Sequence, residues 1–178
     1  MTNKKQTLNF VTLGCSKNQV DSEVLAAQFR KQGYEVYLEA DFDTDIVVIN
    51  TCSFILDAKE QSIETILLFA DRKKQGYIKK LFVIGCLVER YHADLPAAIP
   101  EVDGFYGFTE LGQLLQTEKF DLLAHPDRIL STPPHYAYLK ISEGCDRQCS
   151  YCAIPSIRGK QHSKPKELLI DEAKRLVD

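Results

Sequence analysis

Two continuous apolar runs, Ile46-Val47-Val48-Ile49 and Leu81-Phe82-Val83-Ile84, constrain the fold of this chain more than any other feature. A strand with one wet face alternates apolar and polar residues, whereas an unbroken run suits a strand covered on both faces, as in a parallel sheet. Between the runs, Asp57 opens a segment with Ile63, Ile66, Leu67 and Ala70 at helical spacing, closed by Lys73, Lys74 and Gly76. Ahead of them, Leu8 to Leu13 reads as a short strand ended by Gly14. Asn18 reads as the N-cap of the next helix, with Asp21 and Glu23 in the first turn, where the helix dipole favours negative charge. Val20, Val24, Ala27 and Phe29 give that helix its apolar side, Gly33 stops it, and a short strand follows over Glu35 to Leu38.

Further on, a helix is predicted over Leu87 to Asp94 and a strand over Val102 to Tyr106. Thr109 reads as the cap of a last helix carrying Leu111, Leu114, Leu115 and Leu122. Strands alternating with amphipathic helices predict an α/β fold over residues 1–125, a doubly wound parallel sheet with right-handed crossovers. His125-Pro126 and Ser131-Thr132-Pro133-Pro134 mark 126–135 as a linker. Residues 136–178 then read as a strand over Tyr138 to Ser142, a cysteine loop and a helix over Leu168 to Val177. A single βα unit has too little core to fold alone, so it is expected to dock on the first domain or to begin an incomplete one.

The formal net charge of −3 excludes a generic nucleic-acid binder, but it is uneven: the last 53 residues carry +2 and the first 125 carry −5. Arg158, Lys160, Lys164 and Lys166 read as a solvated loop, with an anion or substrate contact as the alternative. Met1 to Gln6 is polar and lacks the apolar stretch of a signal peptide. No segment approaches the roughly 18 apolar residues of a membrane span. A cytoplasmic protein with no membrane partner is the expectation, and there six cysteines are ligands or reactive thiols rather than disulfides.

Three of those cysteines lie within eight residues, Cys145-Asp146-Arg147-Gln148-Cys149-Ser150-Tyr151-Cys152. Thiolates are the usual ligands of iron–sulfur clusters, and three of them leave one iron of a four-iron cluster open to a small molecule. The other three, Cys15, Cys52 and Cys86, each follow the carboxyl end of a predicted strand. Open parallel sheets bind their ligands along that edge, so these thiols can converge despite their separation in sequence. They read as the ligands of a second cluster, or else as three small buried hydrophobes. Gly14 and Gly85 read either as sites of close backbone approach to that cluster or as plain turns.

Gly14-Cys15-Ser16-Lys17-Asn18, Asn50-Thr51-Cys52, Gly85-Cys86 and Ile141-Ser142-Glu143-Gly144-Cys145, in that order, resemble the methylthiotransferase family of radical S-adenosyl-L-methionine (SAM) enzymes. Ser16-Lys17-Asn18 with Val20-Asp21-Ser22-Glu23, and His135 to Lys140 and Ile154 to Gly159, resemble the ribosomal-protein branch; the tRNA-modifying branch is the alternative. The resemblance implies a transferase that adds a methylthio group to the β-carbon of an aspartate in small-subunit ribosomal protein twelve. It implies two 4Fe-4S clusters, on Cys15, Cys52 and Cys86 and on Cys145, Cys149 and Cys152. SAM would bind at the second, with Tyr151 near its adenine and Arg158 among the cofactor contacts. A reductant such as flavodoxin or ferredoxin and a monomeric state are also implied. Ser163-Lys164-Pro165 stands where the family usually has Ser-Arg-Pro, and 26 residues follow Cys152, so residues 136–178 are expected to form only the first βα unit of a truncated radical SAM (β/α) barrel, inactive alone. A third reading, from another class, is a zinc-bearing docking module in which His162 or His135 completes a cysteine set.

Overall fold

The computed structural model describes residues 5–177. Five parallel strands form one sheet in the order β2-β1-β3-β4-β5: β1 is Thr7–Thr12, β2 Glu35–Leu38, β3 Ile46–Thr51, β4 Lys80–Gly85 and β5 Gly104–Tyr106. The central strand β3 is buried at every residue, as an unbroken apolar run requires. Its alternate side chains feed two cores. Val47 and Ile49, with Leu81 and Val83, pack against Ile66 and Ala70 of α2 (Leu56–Lys74) and Leu87 and Val88 of α3 (Cys86–Tyr91). Ile46 and Val48, with Leu8 and Phe10, pack on the opposite face against Leu25, Ala26 and Phe29 of α1 (Ser16–Lys31) and Leu111, Leu114 and Leu115. Helices on both faces make the doubly wound α/β fold that the sequence predicts.

Gly33 and Gly76 stop α1 and α2 at positive φ (96° and 83°), and the residues after them, Tyr34 and Tyr77, donate back to Phe29 and Arg72 carbonyls. Other expectations need correction. The helix α1 starts at Ser16, so Asn18 is not its N-cap, and its first turn holds no acidic residue. Asp21 and Glu23 lie a turn further in and are buried. The strand β5 is two residues shorter than expected, and Leu111–Leu114 forms only a four-residue helix, α5. α4 (Leu95–Ala98) is equally short.

The stretch expected as a linker runs along α1. The N–H of Ile129 donates to the Glu23 carbonyl (3.1 Å), and Ser131 donates to the Glu23 carboxylate through N–H (3.0 Å) and hydroxyl (2.7 Å). Beyond it the expected strand over Tyr138 to Ser142 is only Ser142–Glu143 (β6), paired antiparallel with His162–Ser163 (β7). Lys140 is drawn instead towards Asp21 on α1 (2.6 Å), out of any ladder. α6 (Ile154–Arg158) and α7 (Lys166–Val177) complete the chain, the latter close to its predicted span.

Asp45 joins the starts of three strands. Its carboxylate accepts the N–H (2.9 Å) and hydroxyl (3.0 Å) of Thr7 and the ammonium of Lys79 (2.7 Å), while its carbonyl accepts the N–H of Lys79 and Lys80. The bond from Lys79, helped by Thr7, holds this carboxyl down at about 2. A depressed carboxyl stabilises the fold above about pH 4 and loses that contribution as pH falls through about 2. Asp45→Asn is expected to cost roughly 1 kcal/mol at pH 7, after solvent screening. Urea unfolding at pH 7 and pH 2.5 should show the gap between the two proteins closing at the lower pH.

Candidate functional site

In the order β2-β1-β3-β4-β5 the chain moves to one side from β1 to β2 and to the other from β3 onward, so the adjacent strands β1 and β3 form a switch point with a crevice at their carboxyl ends. That is where open α/β sheets bind ligands. Cys15 lies three residues past β1, Cys52 directly follows β3, and Cys86 directly follows β4 as the first residue of α3. All three line one cavity of about 490 Å³, whose wall is otherwise largely apolar, with Phe54, Ile55, Ile154 and Ile157. Cys52 and Cys86 are buried and Cys15 is exposed. The structure therefore brings together three thiols that the sequence separates by 37 and 34 residues.

Two glycines make the approach possible. Gly14 has φ +94°, and a Cβ on it would lie 2.5 Å from Cys52 Cβ and 2.8 Å from its Sγ. Gly85 has φ +98°, and a Cβ there would lie 2.5 Å from Asn50 Oδ1 and 2.6 Å from the Thr51 carbonyl. Each therefore admits the end of the neighbouring strand, in a conformation other residues rarely adopt. Polar cross-links then fix the strand ends. The buried Asn18 amide donates to the carbonyls of Leu13 (2.8 Å) and Thr51 (3.0 Å), tying the end of β1 to β3. Asn50 donates to the Asn18 carbonyl (2.9 Å) and to Ser22 Oγ (3.0 Å). Ser62 Oγ accepts the Cys52 N–H (3.0 Å), and the Ser53 hydroxyl donates to the Cys86 carbonyl (3.0 Å). Sequence reasoning gave Asn50 no role beyond its place in the Asn50-Thr51-Cys52 motif and passed over Ser62. A polar Asn50-Thr51 pair directly after a buried apolar run was the available signal.

The charged residues on the cavity wall are Lys17 and Arg158, both cationic. Arg158 Nη2 lies 3.6 Å from Cys86 Sγ. Burial pushes the Cys86 thiol up, Arg158 opposes the rise, and Cys52 and Cys15 add to it. Among the described residues no group of three His, Cys, Asp or Glu is placed to hold a single metal ion. A four-iron cluster makes a different demand, because each thiolate takes its own iron. Soft thiolates in a cavity walled by apolar and cationic groups suit such an anionic cluster, and three of them leave one iron without a cysteine.

The second cysteine set occupies one loop. Gly144, at φ +74°, crosses the chain so closely that a Cβ would lie 2.1 Å from the Lys160 carbonyl. The Cys145 N–H donates to the Gly159 carbonyl (3.0 Å), the Cys152 N–H to the Cys149 carbonyl (3.1 Å), and the Gln161 N–H to Asp146 Oδ1 (3.0 Å). The Arg147 N–H reaches Cys145 Sγ at 3.5 Å. Cys149 is exposed, Cys145 and Cys152 are half-buried, and Tyr151 is 90% exposed. Two residues after Cys152, α6 begins and supplies Ile154, Ile157 and Arg158 to the first cavity. One short helix thus links the two thiol sets.

The basic run 158–166 divides in two. Lys160 and Lys166 are exposed, as expected of a solvated loop, but Arg158 and Lys164 are buried in ion pairs. Lys164 meets Glu172. Arg158 meets Asp21 (2.6 Å) and Glu143 (3.0 Å), and Lys140 bonds the same two carboxylates. Burial alone would raise the Glu143 carboxyl; Arg158 and Lys140 overcome it and hold it at about 2. The histidines offered to zinc lie elsewhere in their contacts: His162 Nδ1 is 3.3 Å from the Lys160 carbonyl, and His135 packs edge-on against Tyr136.

The ribosomal protein uS12 methylthiotransferase RimO of Bacteroides fragilis is 53% identical over 177 residues, covering 98% of this chain and 41% of the relative. The RimO proteins of Bacteroides thetaiotaomicron and Flavobacterium johnsoniae are each 52% identical with the same coverage. The chain thus spans about two fifths of the length of these curated relatives. Among solved structures, the radical S-adenosylmethionine methyltransferase TsrM from Kitasatospora setae, with cobalamin and a 4Fe-4S cluster bound, matches with a TM-score of 0.59. It covers 97% of this chain and 47% of its own at 14% identity, a likeness of fold. A family model described as Uncharacterized protein family UPF0004 matches residues 7–107, the sheet and helices that carry Cys15, Cys52 and Cys86, and the chain belongs to that family.

Proposed function

We propose that these 178 residues hold two 4Fe-4S clusters of a radical SAM methylthiotransferase. The observation that carries this reading is the convergence of Cys15, Cys52 and Cys86 on one cavity at the switch point of the sheet. Cys145, Cys149 and Cys152 are the ligands of the second cluster, where SAM binds with Tyr151 beside its adenine. When bound, that pair supplies a radical able to take hydrogen from an unactivated carbon, which no acid or base near neutral pH achieves.

The chain's own residues do the positioning. Gly14 and Gly85 let the strand ends meet, and Asn18, Asn50 and Ser62 fix them. Phe54, Ile55, Ile154 and Ile157 give the cavity an apolar wall, and Lys17 and Arg158 bring positive charge to its thiolates. The substrate we assign is an aspartate of the small-subunit ribosomal protein, on the strength of the uS12 methylthiotransferases among the relatives. The charge of −5 on the first 125 residues suits a basic protein partner better than tRNA. A monomer in the cytoplasm, reduced by flavodoxin or ferredoxin, completes the proposal.

Iron content tests it more directly than turnover in a chain of this length. Anaerobic reconstitution is expected to give about eight irons and eight sulfides per chain, falling to about four of each in Cys15→Ala/Cys52→Ala/Cys86→Ala. Four irons in both proteins, or a colourless protein with one zinc, would overturn the two-cluster reading. Gly14→Ala should also lose about four irons, because the new Cβ displaces Cys52 while every ligand remains.

A further inference from the structure

Arg158 makes more contacts than its ion pairs require. It is the last residue of α6, and it is 7% exposed. Nη1 bonds Asp21 Oδ2 (2.6 Å) and Glu143 Oε2 (3.0 Å), while Nη2 bonds Asn18 Oδ1 and lies 3.6 Å from Cys86 Sγ. Its guanidinium carbon sits 4.0 Å from the centroid of the Phe108 ring. Lys140 also bonds both Asp21 and Glu143, so the two carboxylates already face two cations. A residue serving only to neutralise them has no need to reach a sulfur. The second edge of the guanidinium, turned towards Asn18 and Cys86, is what an ion-pair role leaves unexplained.

We infer that Arg158 is a positioning residue for the cluster on Cys15, Cys52 and Cys86. The inference rests on the proposal that those cysteines hold one. Its Nη2 fixes the side chain of Cys86 and places a permanent positive charge beside one ligand. The stacking on Phe108 and the bond to Asn18 hold the fork in one orientation, which an ammonium on a flexible stem cannot reproduce. Hydrogen bonds and positive charge at a cluster's sulfurs favour its reduced, more negative state and so raise its potential. Because Arg158 follows Cys152 by one short helix, it also ties the second cysteine loop to a ligand of the first site.

The test uses the 178-residue chain with Cys145, Cys149 and Cys152 changed to Ala, so that a single cluster is observed. Its midpoint potential is read by dithionite titration with electron paramagnetic resonance. Arg158→Gln alone leaves Asp21 short of a buried partner and could unfold the chain. It is therefore paired with Asp21→Asn and compared with Lys140→Met/Asp21→Asn, which weakens the same ion network but spares the Cys86 contact. The expected result is about four irons in both double variants. The potential should fall, with altered g values, only where Arg158 is lost, and Arg158→Lys should lie between. Equal potentials and spectra in the two double variants would overturn the role of Arg158 while leaving the cluster in place. No iron in the Cys145→Ala/Cys149→Ala/Cys152→Ala parent would overturn the proposed cluster and the inference with it.

Discussion

The buried carboxylate of Asp21 is the contact on which the rest of the arrangement depends. It lies in α1, 2% exposed, and accepts Lys140 Nζ and Arg158 Nη1, both at 2.6 Å. One face of α1 packs on the sheet; this charge binds the other to the segment carrying the second cysteine loop. Burying ions is costly, so such a network is poor evidence of net stability. Removing one partner is a different matter, at about 3–5 kcal/mol, because a charge is left without compensation. The network therefore specifies where the segment docks. Glu23 reinforces it by holding Ser131, and Arg128 lies between Glu23 (3.7 Å) and Glu172 (3.3 Å), tying α7 to the same helix.

From that docking the chemistry of the site follows. The parallel sheet delivers three cysteines to one edge, and glycines at positive φ let their strand ends close up. α6 then closes the cavity from the other side and leads back directly to the Cys145–Cys152 loop. Neither part makes this site alone: the sheet supplies the thiols, and the docked segment supplies a wall and the guanidinium beside Cys86.

Much of this was legible in the sequence, for local reasons. The runs at 46–49 and 81–84 announce doubly buried strands, and Gly33 and Gly76 announce helix ends. The position of each N-terminal cysteine just past a strand announces a shared edge. What was not legible is long-range. Asp21 and Glu23 look like helix-dipole acids because nothing nearby in sequence shows their partners. Lys140 and Arg158 lie 119 and 137 residues away. Arg158 and Lys164 look solvated because they share a loop with Lys160 and Lys166, which are. The predicted strand over 138–142 shrinks to two residues because tertiary pairing of Lys140 outweighs local β-propensity.

The most direct measurement of the docking is a double-mutant cycle between Asp21 and Lys140, using Asp21→Asn, Lys140→Met and the double variant in urea unfolding of the whole chain. A buried pair that fixes the segment on α1 predicts strong non-additivity, a coupling of about 1–3 kcal/mol, with each single change far more damaging than its share of the double. Additivity within about 0.5 kcal/mol would contradict the account, since it would mean that the two side chains do not depend on each other.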